Sequence, residues 1–121
     1  MRLRQIETGA ESFHHSTRLG EDHMVIVYRL QGMEFEWDEH KAKTNTEKHG
    51  VTFEEAVEVF FDPFYQTGDA TGEADEVRDF ILGYTSMSRL LLVVHTERSP
   101  RIRVISARPA TRAERRLYED I

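Results

Sequence analysis

The sequence predicts an α+β domain with an antiparallel β-sheet of about four strands, two N-terminal helices and one C-terminal helix. Three observations carry this. Residues 78–84, 90–96 and 101–108 are short runs rich in β-branched and aromatic residues, set apart by turn residues, as successive strands are. Asp38 and Thr52 each stand ahead of a segment closed by a helix-ending signal, Gly50 in one case and Asp62-Pro63 in the other. Thr111-Arg112-Ala113-Glu114 has the capping-box pattern and opens the last helix.

In chain order, residues 34–37 alternate polar and apolar, which places Phe35 and Trp37 inward on a first strand. A helix over residues 39–49 follows, with Ala42 allowing close approach and Lys41, Lys43, Lys48 and His49 forming a basic cluster. That cluster is open to two readings, a binding surface or a solvated face with its cations near the negative end of the helix dipole. The second helix starts at the Thr52 cap, with Glu55 three residues on, and buries Phe53, Ala56, Val57 and Phe60 at helical spacing. Glu54, Glu55 and Glu58 read as its solvated acidic face. Residues 64–67 suggest a short strand. The acidic loop 68–76 lacks the alternating ligands of a calcium loop.

Arg78, Phe80, Leu82 and Tyr84 should share one face of a strand that turns through Ser86-Met87-Ser88 into the apolar run 90–96. Residues 97–100 turn the chain into 101–108, expected to be the central strand. There Arg101 and Arg103 share one face while Ile102 and Val104 share the other. Ala113, Leu117 and Ile121 align along the last helix.

Residues 1–32 are polar and irregular around a brief apolar run at 24–28, so the domain is expected over 33–121 with an N-terminal extension before it. The extension reads as a flexible arm, a segment that folds on a partner, or translated sequence ahead of a start at Met33. His14, His15 and His23 show no paired metal spacing.

Composition bounds the function. At 121 residues, 39% hydrophobic and 31% charged, the chain can bury one core. Its net charge of −6 argues against an overall basic coat. The charge is segregated, however, because Arg98, Arg101, Arg103, Arg108, Arg112, Arg115 and Arg116 fall in one segment. The absence of cysteine removes disulfide and thiolate chemistry. With no apolar run near the roughly 20 residues of a membrane helix, a soluble, cytoplasmic protein is expected. No Walker loop, GxGxxG, HExxH, C-x-x-C or Ser/His/Asp spacing is present, so no cofactor or metal is expected.

Several of these residues also resemble a known family. Trp37-Asp38, Lys48-His49-Gly50-Val51 with Phe53 and Ala56, Asp62-Pro63, Arg78, Gly83, the run Val93 to Arg98, and Arg103 to Arg108 with Glu114 and Tyr118 together resemble the BrnT toxins. The likeness spans residues 34–119; residues 1–32 precede where such a chain usually begins. It implies a RelE-like ribonuclease fold and metal-independent RNA cleavage that inhibits translation. It also implies neutralisation by a BrnA-like antitoxin, through which alone the complex would contact operator DNA.

Cleaving RNA without a metal requires a base for the 2′-hydroxyl, cations for the phosphate and an acid for the leaving oxygen. Arg78, Arg103 and Arg108 are the candidate phosphate clamp, being on or beside strands that can fix them. His95 is the candidate proton-transfer residue because histidine titrates near neutrality. Lys48, His49 and Tyr118 are alternatives, and Arg98, Arg101, Arg112 and Lys41 are candidate RNA contacts. Each has a plainer reading: His95 as a core residue, Arg103 locked to Glu54 or Glu58, and Arg112, Arg115 and Arg116 as a solvated helix face or a surface for an acidic partner. A noncatalytic module that binds an acidic protein segment or nucleic acid is the alternative function.

Overall fold

The computed structural model describes residues 2–6, 10–15, 24–72 and 76–120, with side chains from Met24 onward. Its strands are β1 (Arg2–Ile6), β2 (Ala10–His15), β3 (Val25–Leu30), β4 (Met33–Asp38), β5 (Gln66–Asp69), β6 (Asp79–Tyr84), β7 (Leu90–Arg98) and β8 (Arg101–Pro109). The helices are α1 (Glu39–His49), α2 (Phe53–Ala56), continued by a 3₁₀ turn over Val57–Phe61, and α3 (Arg112–Glu119). The strands form one sheet in the order β1-β2-β3-β4-β8-β7-β6-β5. All neighbours are antiparallel except β4 and β8, which run parallel and pair at Phe35 with Ile102 and Glu36 with Arg103. The sheet is therefore mixed and has more than the expected four strands, six of them with described side chains.

Part of the excess lies where the sequence reads as irregular. Val25–Leu30 is a strand whose Ile26 and Tyr28 oppose Trp37 and Phe35, and all four are buried. Gln31 and Gly32 join it to β4 as a two-residue turn, both with positive φ (48° and 84°), the geometry that matches hairpin twist. The patterned domain thus starts at least at Val25 rather than at Met33. Residues 7–9 and 16–23 of the expected extension, and 73–75 of the acidic loop, lie outside the described residues.

The local signals in α1 act as read. The Asp38 side chain accepts from the Lys41 N–H at 3.0 Å, and Gly50, at φ 65°, closes the helix by donating to Thr46 O. The second helix is shorter than expected. Thr52 caps it through the Glu55 N–H, but after one α turn the chain tightens to 3₁₀ over Val57–Phe61. β-Branched and aromatic residues crowd the turn before them in an α-helix. The tighter winding brings Phe60 onto Phe35 at 5.1 Å and onto His95 at 5.0 Å between ring centroids.

One sheet face packs these helices. Phe35, Trp37, Ile81, Leu91, Val93, Val104 and Ala107 meet Val51, Phe53, Ala56, Val57 and Val59 there. Asn45 ties α1 to β8 within this core. Its amide donates to Ala107 O (2.8 Å) and Val51 O (3.1 Å) and accepts from Ala107 N (3.0 Å).

Among the described residues, the opposite face is covered at one end only. There α3 lies over Leu82, Leu90 and Leu92, with Phe80, Tyr84, Val94 and Tyr118 packed around them. The Thr111–Glu114 capping box forms as expected, but the packing face of α3 does not. Ala113 and Leu117 are exposed, Ile121 lies outside the described residues, and the helix seats through Tyr118 and Glu114. Tyr118 is the α3 residue that packs against this leucine surface. Tyr118 stands edge-on to Tyr84 at 5.2 Å and donates its hydroxyl to Asp62 Oδ2 at 2.6 Å.

Candidate functional site

Beyond α3, the uncovered face carries charge in rows set by strand alternation. Glu34 and Glu36 project from β4, Arg101, Arg103 and Arg108 from β8, and Thr96 and Arg98 from β7. Arg29 of β3 enters the same network. Its Nη2 meets Glu34 Oε2 at 2.6 Å, while Glu34 Oε1 accepts from Arg101 Nε at 3.2 Å. Those two guanidinium groups, Arg29 first, hold the Glu34 carboxyl below the usual range. Arg103 donates Nε and Nη2 to one oxygen, Glu36 Oε2, at 2.9 and 2.6 Å. Arg101 Nη1 stands 3.8 Å from the other, Oε1. Arg103 is thus locked to Glu36, not to Glu54 or Glu58, because those glutamates stand on the helical layer behind the sheet.

The rest of the face follows the same rule. Arg98 Nη2 donates to Glu76 Oε1 at 3.1 Å, and Glu76 Oε2 lies 3.9 Å from Arg78 Nη2. Arg78 Nε is shielded from solvent and has no hydrogen-bond partner among the described residues. Arg108 forms a two-pronged pair with Glu114 at 2.8 Å on each prong. Arg108, aided by Thr111, holds the Glu114 carboxyl down at about 2. Among the described residues, six guanidinium groups, those of Arg29, Arg78, Arg98, Arg101, Arg103 and Arg108, thus meet the carboxylates of Glu34, Glu36, Glu76 and Glu114.

The remaining sequence candidates divide. His95 projects from the other face, paired across strands with Asp79 and Val104 and edge-on to Phe60. It lines a pocket of about 300 Å³ with Thr67, Gly68 and Asp79, and its Nε2 is buried without a partner among the described residues. Burial pushes its pKa down, and Asp79 offsets part of that shift. His95 and the Arg103 row are therefore separated by the sheet. A register irregularity between Val94 and His95 shifts the pairing, and sequence alternation does not reveal it. Lys41, Lys48 and His49 are exposed on α1, Arg112 is exposed on α3, and Tyr118 is engaged by Asp62 and pushed up to about 12 by burial and that carboxylate. Glu36 was missed, although its alternation with Phe35 and Trp37 already placed it on the face opposite the core.

Fold and face together define a small α+β protein with an arginine-rich sheet surface suited to a polyanion. The model of a family described as the ribonuclease toxin BrnT of a type II toxin-antitoxin system matches residues 37–114, more than half of the chain. The chain belongs to this family of ribonuclease toxins, and membership brings an RNA substrate and an antitoxin partner. Among solved structures, it is similar to the 1.1 Å crystal structure of the Brucella abortus ribonuclease toxin BrnT, with 28% identity, 63% of this chain and 94% of that chain covered, and a TM-score of 0.49. No curated protein matches. No helix among the described residues is long and apolar enough to cross a membrane.

Proposed function

We propose that RNA lies across the uncovered sheet face and is cut there without a metal ion. Arg101, Arg103 and Arg78 take the phosphate, and Arg98, Arg108 and Arg112 contact the flanking backbone. The observation that carries this reading is the concentration of guanidinium groups on a strand surface, with Arg78 Nε buried and without a partner among the described residues. A buried donor without a partner costs free energy that an incoming phosphate oxygen would recover. Guanidinium groups stabilise the charge that builds on phosphorus in the transition state, so they can fill the role a cation fills in metal-dependent nucleases.

In this reading the fold is RelE-like and the toxin acts in the cytoplasm, where cutting RNA stops translation. A BrnA-like antitoxin covers the basic face and brings operator DNA binding to the complex. His95, Lys48, His49 and Tyr118 stand outside the cleavage centre. The Tyr118 hydroxyl already donates to Asp62, and His95 is on the helix-covered side.

The test is incubation of the full chain with defined RNA in EDTA, beside folded Arg103→Ala and His95→Ala. Wild-type cleavage that falls roughly 10²-fold or more in Arg103→Ala supports the reading. Cleavage abolished by His95→Ala but kept in Arg103→Ala would move the chemistry to the other face. Binding of RNA with no turnover would favour the noncatalytic alternative, which gains from the fact that Arg103 and Arg108 already have carboxylate partners.

A further inference from the structure

Among the described residues, four glutamates pair with the arginines of this face, and they differ in how their oxygens are committed. Glu114 gives both oxygens to Arg108 and caps α3, and the resulting low pKa makes it a poor base. Glu34 gives one oxygen to Arg29 and the other to Arg101. Glu76 lies in an irregular segment ahead of β6, with its side chain 37% exposed. Glu36 differs from all three. Its Oε2 takes both hydrogen bonds from Arg103, while Oε1 stands 3.8 Å from Arg101, beyond hydrogen-bond length. One oxygen anchors the carboxylate on a strand and the other is left to accept a proton beside two guanidinium groups.

We infer that Glu36 is the general base of the RNA cleavage proposed above, abstracting the ribose 2′-hydroxyl proton at Oε1 while Arg101 and Arg103 face the phosphate. The inference rests on that reading of the face. As the proton passes to Oε1, O2′ forms its bond to phosphorus and the P–O5′ bond breaks. The leaving O5′ takes a proton from water, and Glu36 returns its captured proton to the hydroxide so formed. The products are a 2′,3′-cyclic phosphate and a 5′-hydroxyl end, with no net consumption of water. The carboxylate works within a fixed electrostatic frame: Arg101 and Arg103 on β8, Arg29 on β3, and Glu34 and Asp38 on its own strand.

The competing role is structural, because the Glu36–Arg103 pair also joins the two strands of the parallel seam. The experiment separates the two. Cleavage of a defined single-stranded RNA by the full chain is measured in EDTA over about pH 5 to 8, with wild type, Glu36→Gln, Glu36→Asp and Glu76→Gln, each checked by circular dichroism. Affinity is measured in parallel with the same RNA carrying 2′-O-methyl groups, which cannot cyclise. The expected result for Glu36→Gln is a rate lower by roughly 10²- to 10⁴-fold with affinity within about threefold of wild type. Glu36→Gln that cuts within about threefold of wild type overturns the inference, as does a loss of affinity that accounts for the loss of rate, or a loss confined to Glu76→Gln. Should Glu36→Gln not fold, Glu36→Asp decides: it keeps the charge but withdraws the oxygen by a methylene, so slow cleavage with normal affinity supports the inference and a wild-type rate refutes it. A wild type that cuts no RNA fails the functional reading itself and takes the inference with it, whereas active wild type with active Glu36→Gln fails Glu36 alone.

Discussion

Asn45→Ala tests the coupling of α1 to the arginine strand. The substitution removes three hydrogen bonds made by one buried amide, two of them to the N–H and C=O of Ala107 on β8. Val51 O keeps a bond from Thr46 Oγ1 at 3.2 Å, but both polar groups of Ala107, itself fully buried, lose the amide that pairs them. An unsatisfied buried polar group costs about 1–3 kcal/mol, and the removed amide no longer needs desolvation, so a net loss of about 3 kcal/mol is expected. For a domain of this size that corresponds to roughly 10 °C in Tm. Thr46→Ala, which removes two longer bonds (3.1 and 3.2 Å) from an exposed residue, should cost below about 1 kcal/mol. Urea melts of both variants against wild type make the comparison. Equal midpoints for Asn45→Ala and wild type would refute the claim that this amide carries the seating of α1 on β8. Below its melting transition, Asn45→Ala should also cut RNA more slowly if β8 must be held in place to present Arg101 and Arg103.

Two further predictions concern α3. Because Glu114 has a folded pKa of about 2 against an ordinary 4.5, its stabilisation is fully present above about pH 4.5 and is lost as pH falls toward 2. After discounting for an Arg108 side chain 36% exposed, the contribution is roughly 2 kcal/mol, so urea midpoints of wild type should fall through that acid window while those of Glu114→Gln, lower at neutral pH, stay flatter. Tyr118→Phe removes one of three hydrogen bonds to Asp62 and leaves those from the Tyr84 and Phe64 N–H groups. It should cost about 1.5 kcal/mol by thermal melting and leave RNA cleavage within about threefold of wild type; a much larger loss of rate in the folded variant would return Tyr118 to the cleavage centre.

Much of this molecule was legible in local sequence because its causes are local. The Asp38, Thr52 and Thr111 caps, the Gly50 stop, the inward Phe35 and Trp37, and the split of Arg101 and Arg103 from Ile102 and Val104 all follow from capping chemistry or strand alternation. What local sequence does not contain is the identity of neighbours. Residues 25–30 look too brief and too isolated for an element until β4 supplies their partner rows, since a strand buries its side chains only against what the rest of the chain brings to it. The candidate site divides in the same way. The sequence by itself determined that arginines would stand together on one strand face. Only the tertiary structure decided that Glu36 is the partner of Arg103, through a parallel pairing between strands 67 residues apart in sequence, and that His95 lies behind the sheet. Charge pairing depends on a few ångströms across strands, and those separations are set by register and sheet order.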